Sequence, residues 1–238
     1  AAIRRANRLQ ALALITTLAA ASASVHAADA APEPLYAVVD VELAADGSVL
    51  AVEPAEAVAR EVASFLREQV SRWEFTPATL DGRPAPTRTS VTIVLEPTGT
   101  RNGRQMEVRI VDAATGPRYL RNPSPRYPTA ALDRKDTGEV LLRVDFDREG
   151  RVTAAEVERS AARKYFEHAA LAAVRDWTFQ PERVGDVGIP ARVLVPVRFC
   201  LSGKPCRSLP NSPDDAETTG PRLVGEPAAR IRSRAAAG

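Results

Sequence analysis

Two cysteines, two histidines and one methionine are spread over 238 residues, and aromatics make up only 5%. So few soft or imidazole ligands exclude a metal centre of ordinary Cys/His spacing and a disulfide-dense scaffold. Neither a Gly-x-Ser-x-Gly elbow nor a phosphate-binding loop is present. His26 lies near the N-terminus, and His168 sits beside Glu167 on a helix whose buried stripe uses Phe166 and Ala170, so it reads as a surface residue. Glu156 and Glu158 alternate with Val157, and Asp145 and Asp147 face away from Val144 and Phe146, as solvated strand faces do. No enzyme, cofactor or metal site is expected.

An excess of charge of one sign is also missing. The formal net charge is +2, and with Arg4, Arg5 and Arg8 set aside 29 basic residues face 30 acidic ones, a net of −1. A nucleic-acid partner needs a basic stripe, which this balance does not supply. The apolar fraction of 45% is that of a foldable globular chain.

Long uninterrupted apolar runs are absent as well. The best stretch, Leu9 to about Ala23, follows three arginines and is diluted by Thr16, Thr17 and Ser22. Basic start, apolar stretch and Val25-His26-Ala27 read as a signal peptide over 1–27, cleaved after Ala27. An inner-membrane anchor is the alternative. Either reading puts the remainder in the periplasm.

What is present is a repeat. Asp40 to Leu95 and Arg143 to Phe199 follow one plan. Each opens on alternating apolar residues (Val39, Val41, Leu43; Leu142, Val144, Phe146), turns at Asp46-Gly47 or Glu149-Gly150, and continues in a second strand. A helix follows in each, about Ala55 to Trp73 and about Lys164 to Trp177, with an apolar stripe at helical spacing. Both end in Trp-x-Phe-x-Pro, Trp73 to Pro77 and Trp177 to Pro181, before a last strand. The offset between copies is 103 at the turn glycine and 104 at the tryptophan. The expected class is α+β: two tandem modules, each a three-stranded antiparallel sheet with one helix packed on a face. Their aromatics read as core.

The second copy carries an extension. Gln105 to Val111 alternates as a strand, Ala113 to Gly116 reads as a turn, and Pro123 to Pro128 is a stiff extended segment. Thr129 is expected to cap a short helix. Cys200 and Cys206 flank a Ser-Gly-Lys-Pro stretch and are expected to pair in an oxidising compartment. Beyond them prolines and glycines scattered among charges predict a disordered tail over 202–238.

One combination of residues points further: Pro125-Arg126-Tyr127-Pro128, Gly138-Glu139-Val140, Phe146, Gly150, Ala169-Ala170-Leu171, Trp177-Thr-Phe179-Gln-Pro181, Ile189-Pro190 and Val197-Arg-Phe199. It resembles the C-terminal, periplasmic domain of the TonB family over about Pro125 to Phe199. The first copy resembles it from the hairpin onward. The expected domains are therefore 35–97, a degenerate TonB-like repeat, and 104–201, a TonB C-terminal-like domain.

The resemblance implies a protein-binding module that takes an extended N-terminal segment of an outer-membrane receptor beside its last strand, by β-augmentation. Transferred to this sequence, the partner-binding residues are Arg126, Tyr127 and Pro128 with Arg192, Val193, Leu194, Val195, Val197 and Phe199. Pro196, which has no N–H, suits an edge position. The family also implies energy transduction and an inner-membrane proton-channel complex, both left open. A protein that pairs through its edge strands with itself, as a homodimer without a receptor, is the competing expectation.

Overall fold

The computed structural model describes residues 34–98, 107–203, 206, 209 and 220–234. Residues 1–27, read as an export signal, lie outside that set. Pro32–Gly238 form one compact unit. Among the described residues no helix is long and apolar enough to cross a membrane.

The first half opens with β1 (Leu35–Leu43) and β2 (Val49–Pro54), joined by the Asp46-Gly47 turn, and continues into α1 (Arg60–Val70). The short β3 (Glu74–Thr76) carries Phe75, and a small hairpin, β4 (Thr79–Leu80) with β5 (Arg83–Pro84), leads into the long β6 (Thr87–Thr98). β6 runs antiparallel to β1, with Val39 opposite Val91 and Val41 opposite Thr89. Alternation puts Val39, Val41, Val91 and Ile93 on the face that meets Leu66, Val70, Trp73 and Phe75, all buried.

The second half begins with β7 (Glu107–Gly116), β8 (Arg118–Arg121) and α2 (Thr129–Arg134). Then come β9 (Gly138–Phe146), β10 (Val152–Ser160), α3 (Lys164–Val174), β11 (Thr178–Gln180), the hairpin β12 (Arg183–Val184) with β13 (Val187–Gly188), and β14 (Ala191–Phe199). β9 is the centre of a sheet ordered β10-β9-β14. Its core packs Val140, Leu142 and Val144 with Phe166, Ala170 and Val174 of α3 and with Trp177 and Phe179. The α3 stripe is the one that helical spacing predicts. α1 is shorter than the spacing predicts, beginning at Arg60, and Val58 is exposed.

Neither sheet stops at three strands. β7 adds to β6 on the side away from β1, with Val91 opposite Thr115, and β12 pairs with the start of β6, with Arg183 opposite Arg88. The first sheet thus has six strands, two of them supplied by a hairpin from the second half. Ala113 to Gly116, expected as a turn, is the end of β7, because pairing with β6 satisfies a main chain that a turn would leave open. Thr129 is the first residue of α2; Pro128 holds the cap position, and no side chain caps it.

The C-terminal segment is the largest departure from expectation. In place of a disordered tail, β15 (Arg222–Leu223) lies against β14, and β16 (Arg230–Ser233) lies against β3. Ala229 is fully buried in the first core, with Ile231 packed beside it. The expected boundary between 35–97 and 104–201 is crossed twice, by β7 and by β12 on β6, and β16 on β3 brings the segment beyond residue 201 onto the first half as well. A bidentate ion pair from Arg118 to Asp40, both contacts at 2.8 Å, crosses it again.

Candidate functional site

The sequence points to two pieces of the second half, the last strand and the Tyr-Pro segment, and the structure shows what each can offer. Tyr127 is a plug. Its ring meets Phe166 and Phe199 edge-on at 5.5 and 5.8 Å, and its hydroxyl donates to the Asp136 carbonyl at 2.5 Å. The segment is held upstream too, where the Trp177 indole N–H donates to the Pro123 carbonyl at 2.9 Å. Arg126 stays exposed.

Between this segment and α3 runs an open groove of about 590 Å³. Ala169, Ala172 and Ala173 form its apolar lining, while Arg126, Tyr165 and His168 supply polar groups. Tyr165 donates its hydroxyl to the Asp136 carboxylate, so its ring is fixed in place. His168, surface-exposed as expected, borders this groove.

The side chains of Val193, Val195, Val197 and Phe199 are core, each at most 3% exposed. What β14 can present to a partner is main chain. The Arg192 carbonyl accepts the Val224 amide at 2.8 Å, on the side away from β9. Alternation along an antiparallel strand then turns the main chain of Arg192, Leu194, Pro196 and Arg198 outward, and that of Val193, Val195, Val197 and Phe199 toward β9. Of the six β14 residues expected at an interface, only Arg192 and Leu194 therefore have outward-facing main chain. Pro196 and Arg198, which the expected set omits, have it as well. Pro196 is opposite Leu141 in the β9 register, where its missing N–H costs the ladder nothing.

Side chains on the outer face are engaged. Arg192 forks onto Asp145 at 2.6 and 2.9 Å, and its hydrogen bonds hold the Asp145 carboxyl below the usual aspartate range. Arg143 pairs with Glu156 and Glu158, so these carboxylates are ordinary ion-pair partners. Among the described residues no cluster could hold a metal ion. Cys200 and Cys206 form a disulfide with Cα atoms 5.0 Å apart.

The family model described as the C-terminal domain of Gram-negative bacterial TonB protein matches residues 123–201. This part of the chain is similar to a TonB C-terminal domain. Protein tonB2 of Pseudomonas aeruginosa is 39% identical to the chain over 84 residues, 35% of this chain and 31% of that protein. Protein TonB of Xanthomonas campestris pv. campestris is 42% identical over 81 residues, 34% of this chain and 36% of that protein. The chain thus spans about a third of the length of these TonB relatives. A solution NMR structure of the P. aeruginosa TonB C-terminal domain aligns at 22% identity with a TM-score of 0.33, covering 45% of this chain and 97% of that one. The TonB match is to a non-enzymatic family.

Proposed function

We propose that this chain is a periplasmic protein-binding module of TonB type, whose second half adds an extended segment of an outer-membrane receptor beside β14. Arg126, Tyr127 and Pro128 complete the site at the groove along α3. The first half serves as a second module of the same plan. Its Gly47, like Gly150 in the second half, adopts a left-handed φ, +87° and +80° respectively, and lies against the carbonyl of the phenylalanine in the Trp-x-Phe element. Energy transduction from an inner-membrane proton channel extends this reading to a longer protein.

The observation that carries the proposal is the β14–β15 pairing. An outer edge that bonds Val224 and sets Leu194 opposite Arg222 is chemically able to take a strand. Self-association through the opposite edge is less favoured. β10 carries register shifts at Val152/Ala154 and Val157/Arg159 together with charged Glu156, Glu158 and Arg159, all of which blunt strand addition.

The test is a panel of fluorescent peptides made from the N-terminal segments of outer-membrane receptors of the same cell, titrated against the full chain. A binding peptide is then N-methylated one residue at a time. Strand addition predicts weakening at every second position, by about fivefold each, the net worth of one hydrogen bond. Binding that tolerates methylation everywhere rejects β-augmentation. If no peptide binds and the protein sediments as a dimer, the self-pairing reading replaces this one.

A further inference from the structure

The C-terminal segment is fastened by buried groups on both sides of β15. Upstream, the Leu209 amide donates at 3.0 Å to the carboxylate of Glu139, whose side chain is fully buried. Downstream, the Ala228 amide donates at 2.9 Å to Glu182, only 5% exposed, and the Thr115 hydroxyl donates at 2.6 Å to the Ala229 carbonyl. Glu182 also accepts the Thr89 hydroxyl at 2.7 Å. Ala229 then enters the first core and β16 pairs with β3.

Between these fastenings the contact is slight. β15 is two residues long, its register covers only Val193 and Leu194, and Val224 is 45% exposed. A cavity of about 550 Å³ lies beside it, lined among others by Thr92, Val94, Leu194, Pro196, Pro221 and Leu223. Short pairing over a void is where local opening is cheapest, whereas buried anchors open only with the fold. The weakest stretch of the segment is thus the one lying on the proposed docking edge.

We infer that residues 220–226 are a strap that occupies the β14 edge in place of a partner strand and is displaced by it, while the Glu139 and Glu182 anchors keep the released strap tethered. This rests on the docking reading above. Tethering makes reclosure intramolecular, so the strap competes at an effective concentration set by its own length, and weak partners are turned away. A partner gains entry by replacing bonds the strap already makes, such as that from Val224 to Arg192.

Two measurements on the full chain test this. Amide hydrogen exchange is followed at Arg222 and Val224 and at Val144 and Val195, with and without the receptor-peptide panel; peptide affinity is compared between wild type and Val224→Pro, which deletes one strap bond at an exposed residue. Arg222 and Val224 are expected to exchange through local opening well ahead of Val144 and Val195, and faster still with peptide bound. Val224→Pro is expected to bind about fivefold more tightly. Strap amides as protected as those of Val144 overturn the inference. So does a peptide that binds both proteins equally and leaves the strap protected, although the docking reading would survive. Should no peptide bind either protein, the docking reading falls, and the inference falls with it.

Discussion

Gly150 and Phe179 meet backbone to backbone: the Phe179 amide donates to the Gly150 carbonyl at 2.8 Å, and a Cβ on Gly150 would come within 1.8 Å of the Phe179 carbonyl oxygen. Only glycine tolerates both the contact and the φ of +80°. Gly150→Ala is expected to destabilise the protein by about 2 kcal/mol or more, because the clash adds to the left-handed penalty. Gly47→Ala, where the Cβ would lie 2.2 Å from the Phe75 carbonyl oxygen, is expected to cost a similar amount. Urea unfolding checks both, and a loss under half a kilocalorie at either turn would contradict the steric argument.

That contact also marks what could be read from the sequence. The turn glycine, the helical stripe and Trp-x-Phe-x-Pro are local or strongly periodic, so β1–β2, β9–β10, α3 and their aromatic core follow from spacing. The additions do not. β12, β13 and β15 are two residues each, too short to show a period, and the strands that β12 and β15 join, β6 and β14, lie far away along the chain. The C-terminal segment has the proline and glycine content of a disordered stretch, yet Ala229 and Ile231 fill a core that composition cannot reveal. The last strand of the second half was legible, but which of its residues face outward required the Val224–Arg192 bond.

Outward and inward positions on β14 predict unequal costs of proline. Val195→Pro removes an amide that bonds toward β9 in the middle of a sheet and is expected to cost about 3 kcal/mol. Leu194→Pro removes only an amide facing β15, so the fold should survive, with a loss of about 1 kcal/mol. Thermal unfolding with circular dichroism distinguishes them; equal losses would mean that the assigned parity is wrong.

Burial pushes the Glu182 carboxyl above its usual range, despite hydrogen bonds from Ala228, Thr89 and Ala229 that work the other way. A folded-state pKa above the unfolded value means that the folded protein holds the proton more tightly. Stability from this group is therefore greatest at low pH, declines as pH rises from the ordinary glutamate value through the raised one, and is flat above it. Glu182→Gln, which cannot titrate, should lack that decline. Unfolding free energies of both proteins from about pH 4 to pH 8 provide the comparison, and wild type gaining on Gln with rising pH would refute it.

The Cys200–Cys206 bridge closes a small loop just beyond β14. Reducing it is expected to lower stability by about 2 kcal/mol through regained chain entropy. Melting with and without reductant measures this, alongside thiol titration of the denatured, unreduced protein. Two reactive thiols per chain would show that the bridge does not form.

Arg126 and Tyr127 are neighbours in the motif but separate binding from folding. Tyr127 is wedged against Phe166 and Phe199 and tied to the Asp136 carbonyl, so Tyr127→Ala empties a packed site and should cost about 3 kcal/mol. Tyr127→Phe keeps the ring and loses only the hydroxyl bond, about 1 kcal/mol. Arg126 is exposed at the groove mouth, and Arg126→Ala should leave stability within about half a kilocalorie of wild type. If the groove is part of the docking surface, that same variant weakens receptor-peptide binding, though by less than a blocked edge does, because it removes a side-chain contact and no ladder bond. The decisive comparison is binding at matched stability. Arg126→Ala with wild-type affinity would confine the interface to the β14 edge, whereas a loss exceeding that of a single N-methylated peptide position would make the groove the main site.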